Sequence, residues 1–567
     1  MVSKIITFLN RDLFSMNQAA LVLAVFSFLS QVFGLLRDHL LAAFIGPSAG
    51  LDTYYAAFRI PDFIFNSFGI LFSVTVLIPF IAQYIEQEKT DGHNGGLKRF
   101  LNSIFTVYMI GMSALSLLLI VAMPWLTRLV APGFTGAEHI HVVLYSRIML
   151  ISPFLFGLAS LLSSFSQVQK KFFAFAIAPL MYNFGILAGI LFLLPVFGLL
   201  GVVLGVAIGA ILYFAVQVPT LVKLGKIPKF NLDIDWPTIK RVMLLSLPRT
   251  LGTSLTNITF IIIGAMASLL AAGSISIFQF SYNIENTPLL IIGVSYAVAA
   301  FPTMTKLYAM GDKKELLNML YGTTRNIFFL SIPTALLMII LRAQIVRLLL
   351  GAGMFSWNDT RLVSASVALF AVSIAAQCMV LLIVRAFYAI GNTLTPLLIN
   401  ITAILATLFS AVALLFSYRY TIFFHDFINS LMRINGTSGG TVIMLPLAFS
   451  IGQILNAVML WIYFHKKMSG TKTENRNLSR ALAHMTAAGI IAAAAAYGVL
   501  LLTDGVGPHS HFFRVLFQSG IATIIGFAMY GIVLKALRNE DITTFIEIAR
   551  SRFWKRRPLV VQGQQDL

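Results

Sequence analysis

Apolar runs long enough to cross a bilayer recur along nearly the whole of this 567-residue chain. A spanning helix needs roughly 20 predominantly apolar residues, and inside lipid the backbone must satisfy its own polar groups, which a helix does. The runs leave no room for a sizeable soluble domain, so length here counts helices rather than domains. Charged residues occupy 11% of positions and hydrophobic residues 58%, whereas soluble domains carry about 25% charged residues. The expected fold is an all-α polytopic membrane protein with about fourteen spans, at 16–45, 52–84, 101–123, 143–166, 172–196, 200–222, 243–269, 275–302, 322–341, 362–390, 394–416, 442–464, 481–502 and 516–536. The first run is too long for a signal-peptide core and is read as the first span. Cys378 is the only cysteine, which excludes a disulfide framework and a Cys-rich metal site.

A formal charge of +19 does not point to nucleic acid, because the basic residues sit mostly in short loops between apolar runs. They carry topology instead. Alternate connections are basic: Lys89, Lys98 and Arg99; Lys170 and Lys171; Lys223, Lys226, Lys229, Lys240 and Arg241; Lys306, Lys313 and Lys314; and Lys466 to Arg480. Lys4, Arg11 and the tail residues Lys535, Arg538, Arg550, Arg552, Lys555, Arg556 and Arg557 fall on the same side. That side is expected to be cytoplasmic, with both termini on it. Arg342, Arg347, Arg361, Arg419 and Arg433 blur the contrast on the outer side.

The chain repeats itself. Gly69 answers Gly293, Arg128 in WLTRLVAPGF answers Arg347 in QIVRLLLGAGMF, and APLMYN around Pro179 answers TPLLIN around Pro396, with offsets of 224, 219 and 217 residues. The shift corresponds to six spans, so the second copy enters the membrane in the same orientation, a parallel repeat. The expected organisation is an N-terminal lobe over 1–222, a basic connector over 223–242, a C-terminal lobe over 243–465, a linker with two further helices over 466–537, and a basic tail over 538–567. Two such lobes can rock about a cleft, which is how these folds alternate access. The AAGIIAAAAAYG run within Ala487–Val499 suits close helix contact through small residues.

Ionisable residues inside apolar runs are costly. Arg37, Arg59, Arg147, Arg249 and Arg385 lie in such runs, and an arginine at a helix centre costs about 2.5–3.5 kcal/mol on insertion scales. They must be paired or face a wet cavity. Asp38, Asp52, Asp62 and Glu285 are the acids available for pairing. A cationic lining for an anionic substrate is the other reading, because a guanidinium binds phosphate through two parallel hydrogen bonds. The arginines expected to bind such a substrate are Arg37, Arg59 and Arg249, with Asp38, Asp62 and Glu285 in supporting ion pairs. Arg249 and Glu285 are expected at similar depth, with Pro248 and Pro288 breaking their helices there and Pro61 kinking the second span.

Soluble-enzyme motifs are absent: there is no Walker A lysine loop, no HExxH and no CxxC. His139 with His141, and His509 with His511, form HxH pairs without a third ligand, so no metal site is expected.

The stretches GLLRDHLLAAFIG, LDTYYAAFRIP, APGF at 131–134 followed by RIM at 147–149, LPRTLG at 247–252, AAFPTMTK at 299–306 and RAFYAIGNTLTP at 385–396 occur in this order. Over about 16–465 the chain resembles the MurJ (MviN) family of bacterial lipid II flippases. The resemblance implies a multidrug/oligosaccharidyl-lipid/polysaccharide exporter fold in the bacterial cytoplasmic (inner) membrane. It implies transport, without catalysis, of undecaprenyl-diphosphate-linked disaccharide-pentapeptide to the outer leaflet. On this pattern Arg37, Asp52 and Arg59 line a central cavity where arginines meet the diphosphate, and the last two helices form a groove for the lipid tail. The chain departs from the pattern at Gln31 and Asn283, where relatives carry arginine, and at Phe68, where they carry an acid. A monomer acting on lipid II or a related polyprenyl-diphosphate glycan among membrane lipids is expected, with no cofactor; a coupling ion or the membrane potential would supply the energy. A flippase for another lipid-linked glycan and a cation-coupled drug exporter are the competing functions. The exporter would favour a coupling carboxylate, and the second lobe offers Glu285.

Overall fold

The computed structural model describes residues 16–69, 74–91, 95–224, 227–468, 472–503, 511–539 and 541–543, and every regular element among them is helical. Lys4, Arg11 and the basic tail residues from Arg550 to Arg557 lie outside the described residues. In chain order the helices are α1 Met16–Phe44, α2 Ala49–Ser67, α3 Val74–Asp91, α4 Gly96–Val130, α5 Gly136–Val168, α6 Phe173–Phe197, α7 Leu199–Lys223, α8 Trp236–Ser268 and α9 Ser274–Ala309. There follow α10 Lys313–Ile340, α11 Arg342–Leu350, α12 Trp357–Ala371, α13 Ile374–Ala389, α14 Leu394–Tyr420, α15 Ile422–Met432, α16 Gly440–Lys467, α17 Lys472–Leu502 and α18 His511–Ala536.

Among the described residues ten helices are long and apolar enough to cross a membrane, and α12 with α13, bent by 46° at their break, make an eleventh. The expected fourteen is not reached on this criterion. The expected first, second and seventh spans correspond to α1, to α2 with α3, and to α8, which are the helices carrying Arg37 and Asp38, Asp52, Arg59 and Asp62, and Arg249. In each of the three, part of the helix or of its side chains lies outside the described residues. Breaks were expected at Pro248 and Pro288, but α8 runs through Pro248, and a π-helical turn over Leu289–Val294 follows Pro288 and keeps α9 continuous. A widened turn accommodates the carbonyl that proline leaves without its usual donor.

Two compact units divide the chain. The first comprises Met1–Phe280, Leu349–Leu362 and Ile434–Leu445. Its core gathers Phe80, Phe100, Leu101, Ile104, Tyr108, Leu161 and Phe165 from α3, α4 and α5, and the Tyr108 hydroxyl reaches the carbonyls of Pro153 and Phe154. Helices α6 and α7 approach to backbone contact: a Cβ on Gly185 would lie 2.2 Å from the Gly209 Cα, and one on Gly189 2.6 Å from the Gly205 Cα. Glycines four residues apart on both helices make this possible, as in small-residue interfaces within membranes. The connector after α7 is strapped to α4, whose Asn102 and Thr106 side chains accept from the backbone amides of Lys229 and Asn231, while Ser103 accepts from that of Asp235.

The second unit comprises Ser281–Leu348, Val363–Arg433 and Pro446–Leu567. Small residues seat α17 against α10: Ala488, Ala492 and Ala496 are fully buried, and a Cβ on Gly489 would meet the Leu336 side chain. Tyr530 of α18 donates its hydroxyl to the Phe329 carbonyl at 3.0 Å, and Arg325 pairs with Asp541 at 3.0 Å. Helix α15 is too short to span. It shows three faces at the 3.6-residue period: exposed Phe423, Phe427 and Leu431, exposed polar Asp426 and Ser430, and buried Ile428 and Asn429. That pattern suits a helix lying at a membrane surface.

A cationic cluster and its closing contacts

Sequence neighbours on a helix point about 100° apart, yet Arg37 folds back on Asp38, donating through Nε and Nη2 to Oδ1 at 3.0 and 2.9 Å. Arg59 reaches off α2. Its Nη2 donates to Gln279 Oε1 of α9 at 3.1 Å, and its guanidinium lies 5.8 Å from the centre of the Phe260 ring of α8, within cation–π range. Asp62, one turn further on α2, lies within electrostatic reach of both Arg59 and Arg37. It lines a narrow recess walled by Phe58, Phe65, Met149, Phe156 and Tyr182. The first unit therefore gathers Arg37, Asp38, Arg59 and Asp62 at one place. A guanidinium has five donors in a planar fork, the geometry that meets carboxylate and phosphate oxygens.

Asp52 occupies the first turn of α2, which Ser48 caps by accepting from the Leu51 amide. Its buried carboxylate holds the start of α9: Oδ2 accepts from the Gly273 amide at 2.7 Å, and Oδ1 from the Ser276 amide at 2.7 Å and the Ser276 hydroxyl at 2.5 Å. A carboxylate at a helix N-terminus meets unpaired amides and the positive end of the helix dipole. Close by in the chain, the Met354 amide donates to the Ala43 carbonyl at 2.8 Å and His39 Nδ1 donates to the Leu349 carbonyl at 2.8 Å. These contacts tie the end of α1 and the start of α2 to the start of α9 and to the Leu349–Leu362 segment of the same unit.

The other expected site residues fall elsewhere. Arg249 lies on α8, but its side chain is outside the described residues. Glu285 belongs to the second unit and accepts from Gln377 Nε2 at 2.6 Å. Arg147 donates Nε to the Ile120 carbonyl at 2.9 Å. His139 is engaged by Thr127 and the Pro124 carbonyl while His141 stacks on Tyr145; His509 lies outside the described residues. Sequence reasoning missed Gln279 and Gln377. A glutamine inside an apolar run was the available signal, since its amide also needs partners in lipid.

Described residues that are helical throughout their regular structure, with ten or more helices long and apolar enough to cross a membrane, define a polytopic integral membrane protein. It belongs to the lipid II flippase MurJ family, whose model matches residues 41–517. A probable lipid II flippase MurJ of Rhizobium tropici is 28% identical over 400 residues, spanning 68% of this chain and 73% of the relative. The lipid II flippase MurJ of Burkholderia cenocepacia is 25% identical over 461 residues, spanning 79% and 84%. Among solved structures, a lipid II flippase MurJ in an inward closed conformation superposes with a TM-score of 0.72 at 21% identity, covering 92% of this chain and all of that one. An inward-facing multidrug resistance transporter of the MATE family, from the MOP superfamily, gives 0.62 at 14% identity over 78% of this chain and 94% of its own.

Proposed function

We propose that this protein carries lipid II, the undecaprenyl-diphosphate-linked disaccharide-pentapeptide, from the inner to the outer leaflet of the bacterial cytoplasmic membrane for peptidoglycan synthesis. The single observation that carries the reading is the cluster of Arg37 and Arg59 with Asp38 and Asp62 on α1 and α2. Two guanidiniums at membrane depth match a diphosphate, and the acids orient them until the substrate displaces the contact. Arg249 adds a further cation on α8. The basic loops and both termini face the cytoplasm.

In this reading the contacts of Asp52 with Gly273 and Ser276, and of Ala43 with Met354, close the outer end while substrate enters from the cytoplasm. Breaking them lets the repeat-related lobes, 1–222 and 243–465, rock and expose the arginines outward. Helices α17 and α18 guide the lipid tail, the protein works as a monomer, and the membrane potential, worth about 2.3 kcal/mol per charge per 100 mV, assists the cycle.

The test is a host depleted of its own lipid II flippase. The chain should restore growth and the exposure of lipid II on the outer leaflet. A well-expressed, inserted protein that restores neither would move the assignment to another lipid-linked glycan.

A further inference from the structure

Glu285 has no exposed surface. Its Oε1 accepts from Gln377 Nε2 at 2.6 Å, and its Oε2 is buried without a hydrogen-bond partner. The same Gln377 nitrogen reaches Ser373 Oγ at 2.9 Å, which lies 3.0 Å from Ser450 Oγ. The two hydroxyls donate onward to the carbonyls of Phe370 and Leu369. Every member of this chain except Glu285 is uncharged at any working pH.

The packed surroundings are apolar too. Helix α12 presents Phe370 and α16 presents Phe449, both edge-on to Tyr282, one turn before Glu285 on α9. Helix α13 presents the Cys378 thiol, the titratable group facing the carboxyl. Among the described residues no cation is found at this place. An ionised carboxylate here would be a buried charge held by one neutral donor, with its second oxygen desolvated for nothing. A neutral acid loses far less on burial.

We propose that Glu285, with Gln377, Ser373 and Ser450, is a proton-binding site. The carboxyl carries its proton on Oε2 in this conformation. When the movement of the transport cycle wets the site, the O–H bond breaks, the electron pair stays on oxygen, and water takes the proton. The inference rests on the transport reading above and adds the proton to it as a coupled species. The neutral amide and hydroxyls serve both states, since they can donate to a carboxylate or accept from an acid.

The test uses the full chain in lipid nanodiscs, wild type against Glu285→Gln, by infrared difference spectroscopy at neutral pH. The expected result is a carboxylic-acid carbonyl band in the wild type that is lost in the glutamine variant and displaced in D2O. Its absence overturns the proposal, because an ionised carboxylate has no such band. Glu285→Asp, which keeps a titratable group, supplies a second difference spectrum if the glutamine variant does not fold.

In proteoliposomes carrying lipid II with the membrane potential clamped, a one-unit pH gradient should shift the leaflet distribution by up to about tenfold for one proton per cycle. Glu285→Gln should abolish the shift. A wild type that transports but ignores the gradient overturns the coupling. A wild type that moves no lipid II overturns the substrate reading instead, while the infrared band still reports on the site. If Glu285→Arg with Arg249→Glu restores transport that each single variant loses, the carboxyl is one half of an ion pair and the proton site is overturned.

Discussion

Asp52 and Ser276 are joined twice, through the Ser276 amide at 2.7 Å and its hydroxyl at 2.5 Å on the same carboxylate oxygen, although 224 residues separate them. With the Gly273 amide on the other oxygen, one side chain of α2 organises the first turn of α9.

Removing that side chain should loosen the closed end. Hydrogen bonds to a charged group are worth about 1.5–3 kcal/mol each, so Asp52→Ala should shift the equilibrium by at least about tenfold toward the open form. The check is the labelling rate of Ser274→Cys by a membrane-impermeant maleimide in a Cys378→Ala background. Ser274 is almost fully buried, so labelling should be slow with Asp52 intact and fast in the alanine variant. Equal rates would remove Asp52 from the closure.

Gly353 tests the neighbouring contact by steric means. A Cβ there would lie 2.1 Å from the Ala43 carbonyl oxygen, at a φ of +57°. Gly136 has nearly the same φ, +55°, but open space around it. Gly353→Ala should therefore lower thermal stability more than Gly136→Ala, which bears only the left-handed strain of about 1–2 kcal/mol. Nanodisc melting curves compare the two.

Arg59→Lys keeps the charge and loses the planar fork that meets Gln279 and would meet a diphosphate. Lipid II transport should fall at least about tenfold with protein abundance unchanged. Arg37→Ala should do the same. Transport at the wild-type rate in both variants would sink the cationic site.

Gly205→Leu should abolish recovery of folded protein, because a side chain there meets the Gly189 backbone at 2.7 Å and no rotamer avoids backbone. Gly498→Leu, at a position with nothing within 4 Å, should be tolerated. Yield of monodisperse protein after detergent extraction separates them.

The readings that survived came from costs paid locally. Lipid penalises every unpaired polar group, so the apolar runs reported a helical membrane protein. The same penalty marked Arg37, Arg59, Asp52 and Asp62 as residues with work to do before any contact was visible. The AAGIIAAAAAYG run likewise showed its small face in advance, because closeness of helix approach depends on side-chain size alone.

What each costly group does was decided by residues far away in the chain. Nothing near Asp52 announces that Gly273 and Ser276 receive it, nor does the order around Arg59 or Glu285 name Gln279 and Gln377 as partners. The breaks expected at Pro248 and Pro288 did not form for the same reason: whether a helix breaks at Pro288 depends on a π-turn that packing must support. The sequence by itself determined the solvent, the helical class and which side chains need compensation, since those follow from transfer energies of individual residues. Only the tertiary structure decided who compensates whom, because hydrogen bonds act over about 3 Å and such proximity between distant segments exists only after folding.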